Sequence, residues 1–262
     1  MEEDWRAPDN HPISMARAKV LMAGDLGKEY RKMLMGCCAP IYWFRTDRLP
    51  LTIMHSGTLT LVRTPQRLLG VTAAHVMEAF FRDAQDGPMR LQIMDALIEA
   101  PRIIDASEKL DLATLALDDR QLSAMGKEIA PLSWWPPQCP QESRGIMLAG
   151  YPGQDRQLVG PRAISYGLFT ALGIARRVSD QQITWRVDRA FDEPTPGLQS
   201  LPPNYELGGI SGGPLIAKFE TKGGLEYNCL AGIISQAHSG LENVVAKRAE
   251  FIGAAGVIRQ PP

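Results

Sequence analysis

The sequence predicts an all-β protein with two lobes, and three observations carry this prediction. The 24 glycines and 20 prolines among 262 residues are many for a helical bundle and natural for short strands joined by turns. Apolar runs of strand length recur along the chain in two series. Between the two series lies a segment too rich in proline for regular structure, residues 133–140. We therefore expect two similar lobes joined by a linker.

The apolar runs place the strands and the boundaries of the lobes. In the first series they cover residues 41–44, 57–63, 67–72, 91–93, 102–104 and 112–117. In the second series they cover residues 145–149, 157–165, 167–172, 183–187, 214–219 and 229–234. The predicted organisation is an N-terminal helical extension over residues 1–39, a first lobe over 40–130, a linker over 131–144, a second lobe over 145–245, and a C-terminal helix with a tail over 246–262.

Helices are expected only near the two ends of the chain. Residues 12–36 carry apolar side chains interrupted by Gly24 and Gly27, a pattern that favours one or two short helices. This extension is expected to pack on the lobes, the alternative being a docking or autoinhibitory segment. Residues 245–257 have a helix-compatible order, so a short helix is expected to close the chain.

Charge and hydropathy argue against several classes of partner. The 28 lysines and arginines against 29 aspartates and glutamates leave a net charge of −1, so there is no electrostatic reason to expect nucleic acid or an anionic membrane. The longest stretch without these residues, Tyr227–Leu241, is partly polar and shorter than the ~20 apolar residues of a membrane span. Residues 1–4 (MEED) are acidic where a secretory signal is basic, so a cytoplasmic location is expected.

Cysteine use agrees with a reducing compartment. The chain has four cysteines: Cys37, Cys38, Cys139 and Cys229. Four are too few for a disulfide scaffold, and neighbouring cysteines rarely bridge each other, so buried free thiols are expected. A zinc site on Cys37, Cys38 and a distant histidine matches no C-x-x-C spacing. Sequence motifs for nucleotides, zinc proteases and calcium loops are absent, and neither a cofactor nor a metal is expected.

Three short motifs contain the residue types of nucleophilic catalysis. They are VTAAHV over residues 71–76, DLATL over residues 111–115 and GGISGGPL over residues 208–215. His75 follows a predicted strand, Asp111 opens one, and Ser211 lies among glycines. A serine hydroxyl needs a base within hydrogen-bond reach, and a buried carboxylate holds a histidine base in the correct tautomer. We interpret the three residues as base, orienting acid and nucleophile.

The glycines around Ser211 indicate a site for a developing negative charge. Glycine lets the backbone bend and lets its N–H groups approach an oxyanion without a Cβ in the way. The predicted donors of this oxyanion hole are the backbone N–H groups of Gly209 and Ser211.

The three motifs resemble the signatures of the trypsin/chymotrypsin-like serine proteases. Val76, Leu215 and the turn at residues 150–153 (GYPG) are similar to the bacterial branch, which includes HtrA-type enzymes. The resemblance covers roughly residues 40–257 and implies two six-stranded antiparallel Greek-key β-barrels. It also implies hydrolysis of a protein or peptide substrate through an acyl-enzyme intermediate, without a cofactor. HtrA-type proteins carry a PDZ domain after the protease, and none is expected here.

The chain departs from the digestive members of this family next to the nucleophile. Those enzymes have an aspartate at the position of Ile210, and it pairs with a new N-terminal amine after activation. No Ile-Val-Gly-Gly activation sequence lies upstream. The peptide between Gly208 and Gly209 therefore lacks the ion pair that fixes its orientation. Two outcomes stay open: a formed oxyanion hole, or a flipped peptide that substrate or an activating protein partner turns back.

Two other assignments fit the residues less well. The G-x-S-x-G pattern around Ser211 also occurs in α/β-hydrolases, whose acid and histidine follow the serine in the chain. No aspartate follows Ser211, and no alternation of strands and long helices precedes it. Asp105 competes with Asp111 as the acid but lacks the Leu-Ala continuation that follows Asp111.

The resemblance also implies a substrate pocket. Tyr205, six residues before the serine, corresponds to the base of the primary pocket. The wall that pairs with the substrate backbone corresponds to Ser235, Gln236 and Ala237. With no aspartate at the base, a preference for lysine or arginine is not indicated, although Glu206 leaves that preference open. His238 is expected to be a solvated loop residue, the alternative being a preference for acidic side chains.

The sequence thus predicts a serine endopeptidase with His75, Asp111 and Ser211 as its triad. The competing hypothesis is a peptide-binding module on the same fold, either catalytically silent or gated by a partner. Retention of all three side chains and of the glycines favours the enzyme.

Overall fold

The computed structural model describes residues 24–47, 53–129, 135–160, 163–186, 205–221, 223–238 and 243–261. Within these residues the chain forms two seven-stranded antiparallel sheets, a separate two-stranded hairpin and three α-helices. Both sheets curl, and this mostly β architecture of two half-barrels is that of the predicted chymotrypsin-like fold. Residues 1–23 of the predicted extension and residues 131–134 of the predicted linker lie outside the described residues.

The first sheet contains the motifs of His75 and Asp111. Its strands are β1 (Cys38–Arg45), β2 (Ile53–Arg63), β3 (Leu68–Thr72), β4 (Met89–Ile93), β5 (Ala96–Ile98), β6 (Ile103–Ser107) and β7 (Leu112–Leu117). Their order across the sheet is β5-β4-β1-β2-β3-β7-β6. In β4, Leu91 and Ile93 are buried while Arg90 is exposed, the period-two pattern of a strand with one buried face.

The second sheet contains the motif of Ser211. Its strands are β8 (Gly145–Gly150), β11 (Phe169–Ile174), β12 (Arg177–Val178), β13 (Gln182–Arg186), β14 (Pro214–Glu220), β15 (Glu226–His238) and β16 (Asn243–Arg248), in the order β11-β8-β14-β15-β16-β13-β12. The separate hairpin consists of β9 (Arg156–Gly160) and β10 (Ala163–Tyr166). Ser211 lies in the loop that leads into β14.

The strand count differs from the prediction of six strands a barrel. The additional strands include β5, with three residues, and β12, with two. Each is the outermost strand of its sheet and pairs with one longer neighbour. A run of two or three residues is too short to show a hydrophobic period, so it gives no strand signal in the sequence.

Two of the three helices were unforeseen. Helix α1 (Asp25–Gly36) lies inside the segment 12–36 that was predicted to be helical, whereas α2 (Ala74–Gln85) and α3 (Asp119–Ala124) were not predicted. The sequence of α2 carries buried apolar residues at positions 76, 77 and 80, which is helical spacing. Among the helices of the described ranges, none combines the length and the apolar character needed to cross a membrane.

The predicted C-terminal helix is reduced to one 3-10 turn, Ala249–Phe251. The preceding residues belong to β16, where Val244 and Ala246 are buried and their neighbours are half-buried. This alternation places one face of the segment against the core, so it pairs with β13 and β15 instead of coiling.

A core shared by the two sheets brings the motifs together. Val71 and Leu112 of the first sheet pack in one buried cluster with Ile216 and Ile233 of the second. Leu34 of α1 belongs to the same cluster and is 1% exposed. The strand ends that carry the histidine, aspartate and serine motifs therefore meet at the junction of the two lobes.

A buried carboxylate ties helix α2 to the first sheet. Asp83 accepts a hydrogen bond of 2.8 Å from Trp43 Nε1, and His55 Nδ1 lies 2.8 Å from the same carboxylate oxygen. Burial alone raises the pKa of Asp83, but the hydrogen bonds from Trp43 and His55 outweigh it and lower that pKa overall. This histidine–aspartate pair was not anticipated from the sequence.

Candidate active site

His75 is placed by the junction between strand β3 and helix α2. The chain leaves β3 at Thr72, passes through Ala73 in an extended conformation, and enters the helix at Ala74. His75 thus lies in the first helical turn, with its side chain 49% exposed. Half of the ring is open to solvent and half faces the protein, which suits a group that exchanges protons with a substrate.

Asp111 is placed by a strained turn before strand β7. Its φ of +47° lies in the left-handed region, which costs a non-glycine residue about 1–2 kcal/mol. Its N–H donates to Glu108 O at 3.1 Å, which closes the turn. Such strain persists only where surrounding contacts hold it, and it occurs most often at functional sites.

The carboxylate of Asp111 accepts hydrogen bonds from three groups. His75 Nδ1 lies 3.0 Å from both Oδ1 and Oδ2, and the backbone N–H of His75 donates to Oδ1 at 3.0 Å. The Ser235 hydroxyl donates to Oδ2 at 2.5 Å. With its two oxygens engaged in this way, Asp111 fixes the orientation of the His75 ring and leaves Nε2 for another partner.

These contacts shift both pKa values in the direction of an ion pair. The hydrogen bond to Asp111 raises the pKa of His75, an effect that burial partly offsets. Burial alone raises the pKa of Asp111, but the hydrogen bonds from His75 and Ser235 outweigh burial and lower that pKa. Asp111 is therefore ionised at neutral pH and stabilises the protonated form of His75.

Ser211 shares the cleft but does not bond to the histidine. Its hydroxyl donates to Ser235 O at 3.1 Å, and in the part of the chain that the structure describes no hydrogen bond joins Ser211 to His75. The cleft has a volume of about 640 Å³. Its lining comprises His75, Glu78, Glu108, Lys109, Asp111, Ser211, Ser235, Gln236, Ala237 and Lys247.

Glycines next to Ser211 fit where no side chain could. A Cβ on Gly212 would lie 1.9 Å from Thr58 O, and one on Gly209 would lie 2.9 Å from Tyr151 O. Both glycines also have positive φ, +91° at Gly212 and +102° at Gly209. Residues 208–213 carry Ser211, the predicted nucleophile, and form what we call the nucleophile loop. This loop is therefore in backbone contact with the first lobe on one side and with the turn after β8 on the other.

The two predicted oxyanion donors are unengaged. Among the described residues, neither the Gly209 N–H nor the Ser211 N–H donates a hydrogen bond. Gly208 O accepts from Gly153 N at 2.7 Å, and because the C=O and N–H of a trans peptide point in opposite directions, the Gly209 N–H points away from Gly153. In a flipped peptide, Gly208 O would be placed to accept a hydrogen bond from Ser211 N. Within the described loop that hydrogen bond is absent.

The predicted pocket residues divide into two groups. Ser235, Gln236 and Ala237 line the cleft, whereas Tyr205 is 4% exposed and is not among the described residues that line it. The Tyr205 ring stacks on Phe169 with centroids 5.8 Å apart, and its hydroxyl donates to the Asp155 carboxylate. This buried environment raises the pKa of Tyr205. The side chain of His238 lies outside the described residues.

Charged residues of the cleft were missed in the sequence. Glu78 follows His75 by three positions, so both lie on one face of α2. Had the helix been recognised in the sequence, this spacing would have predicted that Glu78 lies beside His75. Glu108 and Lys109 belong to the strained turn before Asp111, and Lys247 lies on β16. Within the described ranges, no group of three or more histidine, cysteine, aspartate or glutamate side chains is placed to hold a metal ion.

When the chain is compared with known proteins, the similarities found are to solved structures. No family model matches the chain, and no curated protein matches it. The Rv3671c protease from M. tuberculosis, solved in its active form, is 17% identical at a TM-score of 0.46, over 100% of this chain and 96% of that one. The serine endoprotease from Yersinia pestis is 15% identical at a TM-score of 0.47, over 84% of this chain and 62% of that one. At these values neither protein indicates which residues act here, so any function has to be argued from the site itself.

Proposed function

We propose that this protein is a serine endopeptidase of the trypsin-like kind, with His75, Asp111 and Ser211 as its catalytic triad. The observation that carries the proposal is the His75–Asp111 pair at the cleft that Ser211 also lines. Asp111 accepts hydrogen bonds from the ring and the backbone N–H of His75 and is further held by the Ser235 hydroxyl. An aspartate that fixes the ring through Nδ1 leaves Nε2 as the nitrogen able to take a proton from a serine.

The proposed reaction begins at the Ser211 hydroxyl. Ser211 turns from Ser235 O towards His75 Nε2, a side-chain rotation that is fast compared with turnover. Its oxygen attacks the scissile carbonyl while His75 takes the proton, and His75 then gives that proton to the leaving amine. Water, deprotonated by His75, hydrolyses the acyl-enzyme and restores Ser211. Asp111 remains ionised and stabilises the transient imidazolium.

The backbone N–H groups of Gly209 and Ser211 are the proposed oxyanion donors. Support comes from their lack of other acceptors in the described loop and from the orientation of the Gly208–Gly209 peptide. Each such donor contributes roughly a hundredfold to a thousandfold to the rate in other enzymes that stabilise an oxyanion.

The proposed substrate is a protein or peptide, and the proposed compartment is the cytoplasm. Ser235, Gln236 and Ala237 line the cleft, and they follow Ile233, the last residue of β15 that pairs with β14. This edge of β15 is the proposed place where an extended substrate chain pairs. Cys37 and Cys38 are buried and donate to Leu34 O, an arrangement that fits reduced thiols.

One observation favours a second candidate, the partner-gated or silent peptide-binding module. The Ser211 hydroxyl is bonded to Ser235 O instead of His75, which is an inactive arrangement of the nucleophile. If this arrangement persists in solution, the cleft binds peptides and waits for a partner to release Ser211.

Labelling with a fluorophosphonate probe separates the two candidates. We expect the probe to modify Ser211 in the native protein, as shown by mass spectrometry of the labelled peptide, and to leave the Ser211→Ala and heat-denatured proteins unmodified. Modification together with cleavage of an unfolded protein substrate supports the endopeptidase. Modification without cleavage supports a gated enzyme, and absence of modification in folded protein contradicts catalysis.

A further inference from the structure

We propose that Thr58 is a positioning residue of this site, whose hydroxyl restrains the backbone of Gly209 and so keeps the N–H of Gly209, a proposed oxyanion donor, in its working orientation. The inference rests on the proposed function, because it concerns how the same site is shaped. Thr58 lies on β2 of the first lobe and is 0% exposed.

Thr58 uses every polar group it has to connect three segments. Its hydroxyl donates to Gly209 O and accepts from Tyr151 N, both at 2.9 Å. Its backbone N–H donates to Ser211 O at 2.8 Å, and its carbonyl accepts from the Thr72 hydroxyl at 2.8 Å. One residue thus joins the nucleophile loop, the turn after β8 and the strand that leads to His75.

The hydrogen bond from the Thr58 hydroxyl to Gly209 O restrains the orientation of the Gly209 N–H, a proposed oxyanion donor. The two carbonyls that flank this N–H are both held: Gly208 O by Gly153 N, and Gly209 O by the Thr58 hydroxyl. With both peptide planes held, Gly209 keeps its φ of +102°. Without the Thr58 hydroxyl, one of the two holds is lost at a residue that has the widest backbone freedom.

The hydroxyl takes the place of an ion pair at this loop. Ile210 is 0% exposed and packs against Gly150, where a Cβ would lie 2.6 Å from its own Cβ. The side chain of Ile210 anchors the loop by burial but has no group that can hydrogen-bond to the backbone. In the described residues, all hydrogen bonds to the backbone of residues 208–213 come from neutral groups. Thr58 donates two of them, to Gly209 O and Ser211 O, and Ile234 also makes two, through its backbone, with Gly212 and Gly213.

Replacement by valine removes the hydroxyl while keeping the shape. Thr58→Val leaves Gly209 O and Tyr151 N without their partner in a buried place, so the Gly209–Ile210 peptide loses its restraint. The torsions of Gly209, which orient the neighbouring Gly208–Gly209 peptide, are then less restricted. Thr58→Ser keeps the hydroxyl and loses only a methyl group. Thr114→Val is the matched control, because Thr114 is equally buried and its hydroxyl donates to Gly256 O at 2.6 Å, away from the nucleophile loop.

The test compares kcat and KM of the four proteins on one peptide substrate, after urea unfolding has shown that each is folded. We expect Thr58→Val to lower kcat about 10- to 100-fold with KM within threefold, because the lost orientation acts on the transition state. We expect Thr58→Ser and Thr114→Val to stay within threefold of the unaltered protein. A Thr58→Val variant that matches Thr114→Val in kcat, or that changes KM alone, overturns the inference.

A second measurement keeps this inference separate from the proposed function. If the unaltered protein shows neither probe labelling nor cleavage, the proposed function fails, and crystal structures of the unaltered and Thr58→Val proteins then decide about Thr58. A Gly208–Gly209 peptide that turns only in the variant supports the positioning role. A peptide with the same orientation in both proteins rejects it.

Discussion

At the scale of a single residue, Asp111 sets the orientation and the pKa of His75. Its left-handed backbone turns the carboxylate towards His75, and the hydroxyl of Ser235, 124 residues further along the chain, occupies one of its oxygens. The hydrogen bond to Asp111 raises the pKa of His75 above its ordinary value of about 6.5. The raised pKa has a measurable consequence, because only the neutral imidazole can act as a base.

We predict that kcat/KM rises with pH through a value above about 6.5 and that Asp111→Asn moves this limb down. The amide of asparagine does not stabilise the imidazolium, so His75 loses its proton at lower pH. The amide also supports the wrong tautomer, so the rate falls by about 10⁴-fold. NMR titration of the His75 ring in both proteins measures the pKa independently of turnover. A limb and a titration that stay in place after the substitution would refute the assignment of Asp111.

At the scale of secondary-structure elements, the site depends on how helix α2 is held. The helix begins with the motif that contains His75 and ends near Asp83, whose carboxylate connects it to Trp43 on β1 and His55 on β2. Trp43 is 1% exposed, so its indole N–H has no access to water if Asp83 is removed.

We predict that Asp83→Ala lowers the free energy of unfolding by about 2–3 kcal/mol, because it leaves the buried Trp43 N–H without an acceptor and creates a small cavity. Asp83→Asn keeps an oxygen that can accept from Trp43 and is expected to cost about half as much. Urea unfolding at pH 7 measures both. Equal losses for the two variants would show that charge, not the acceptor, holds the helix.

Residues whose proposed chemical role accepts few amino-acid types were the easiest to propose from the sequence. His75, Asp111 and Ser211 could be proposed from the sequence because the roles of base, orienting acid and nucleophile accept few residue types, and the structure places the three residues at one cleft. Helix α2 escaped notice because its apolar spacing follows directly on a strand pattern, and the shortest strands have no period to detect. Thr58 could not be predicted at all, since a threonine in a strand is ordinary until tertiary contacts show what its hydroxyl binds.

At the scale of the whole molecule, the reactivity of the four cysteine thiols depends on how deeply the fold buries them. Cys37, Cys38 and Cys229 are buried, and Cys139 is half-buried. Burial raises the pKa of Cys38, Cys139 and Cys229, which lowers the reactive thiolate fraction of each.

We predict that Ellman's reagent at pH 8 titrates about one thiol in the native protein, Cys139, and all four after denaturation without reductant. The same denatured sample treated first with a reductant and desalted is the control, and it should give an equal count. A denatured count of two, restored to four by the reductant, would reveal a disulfide and reject the expectation of a reducing compartment.

The hydrogen bonds from Thr58 to the nucleophile loop also order events during synthesis. Thr58 and Gly209 are 151 residues apart, so a ribosome adding about 5–20 residues per second completes this pair on the order of ten seconds after Thr58 is made. His75 and Asp111 are made within that interval, so the growing chain contains both of them before it contains Ser211. When Ser211 has been made, Ser235 has not, so the hydrogen bonds of Ser235 with Ser211 and with Asp111 form later still. The candidate site is therefore complete only once the second lobe has been synthesised, and a nascent chain that ends before Ser235 lacks it.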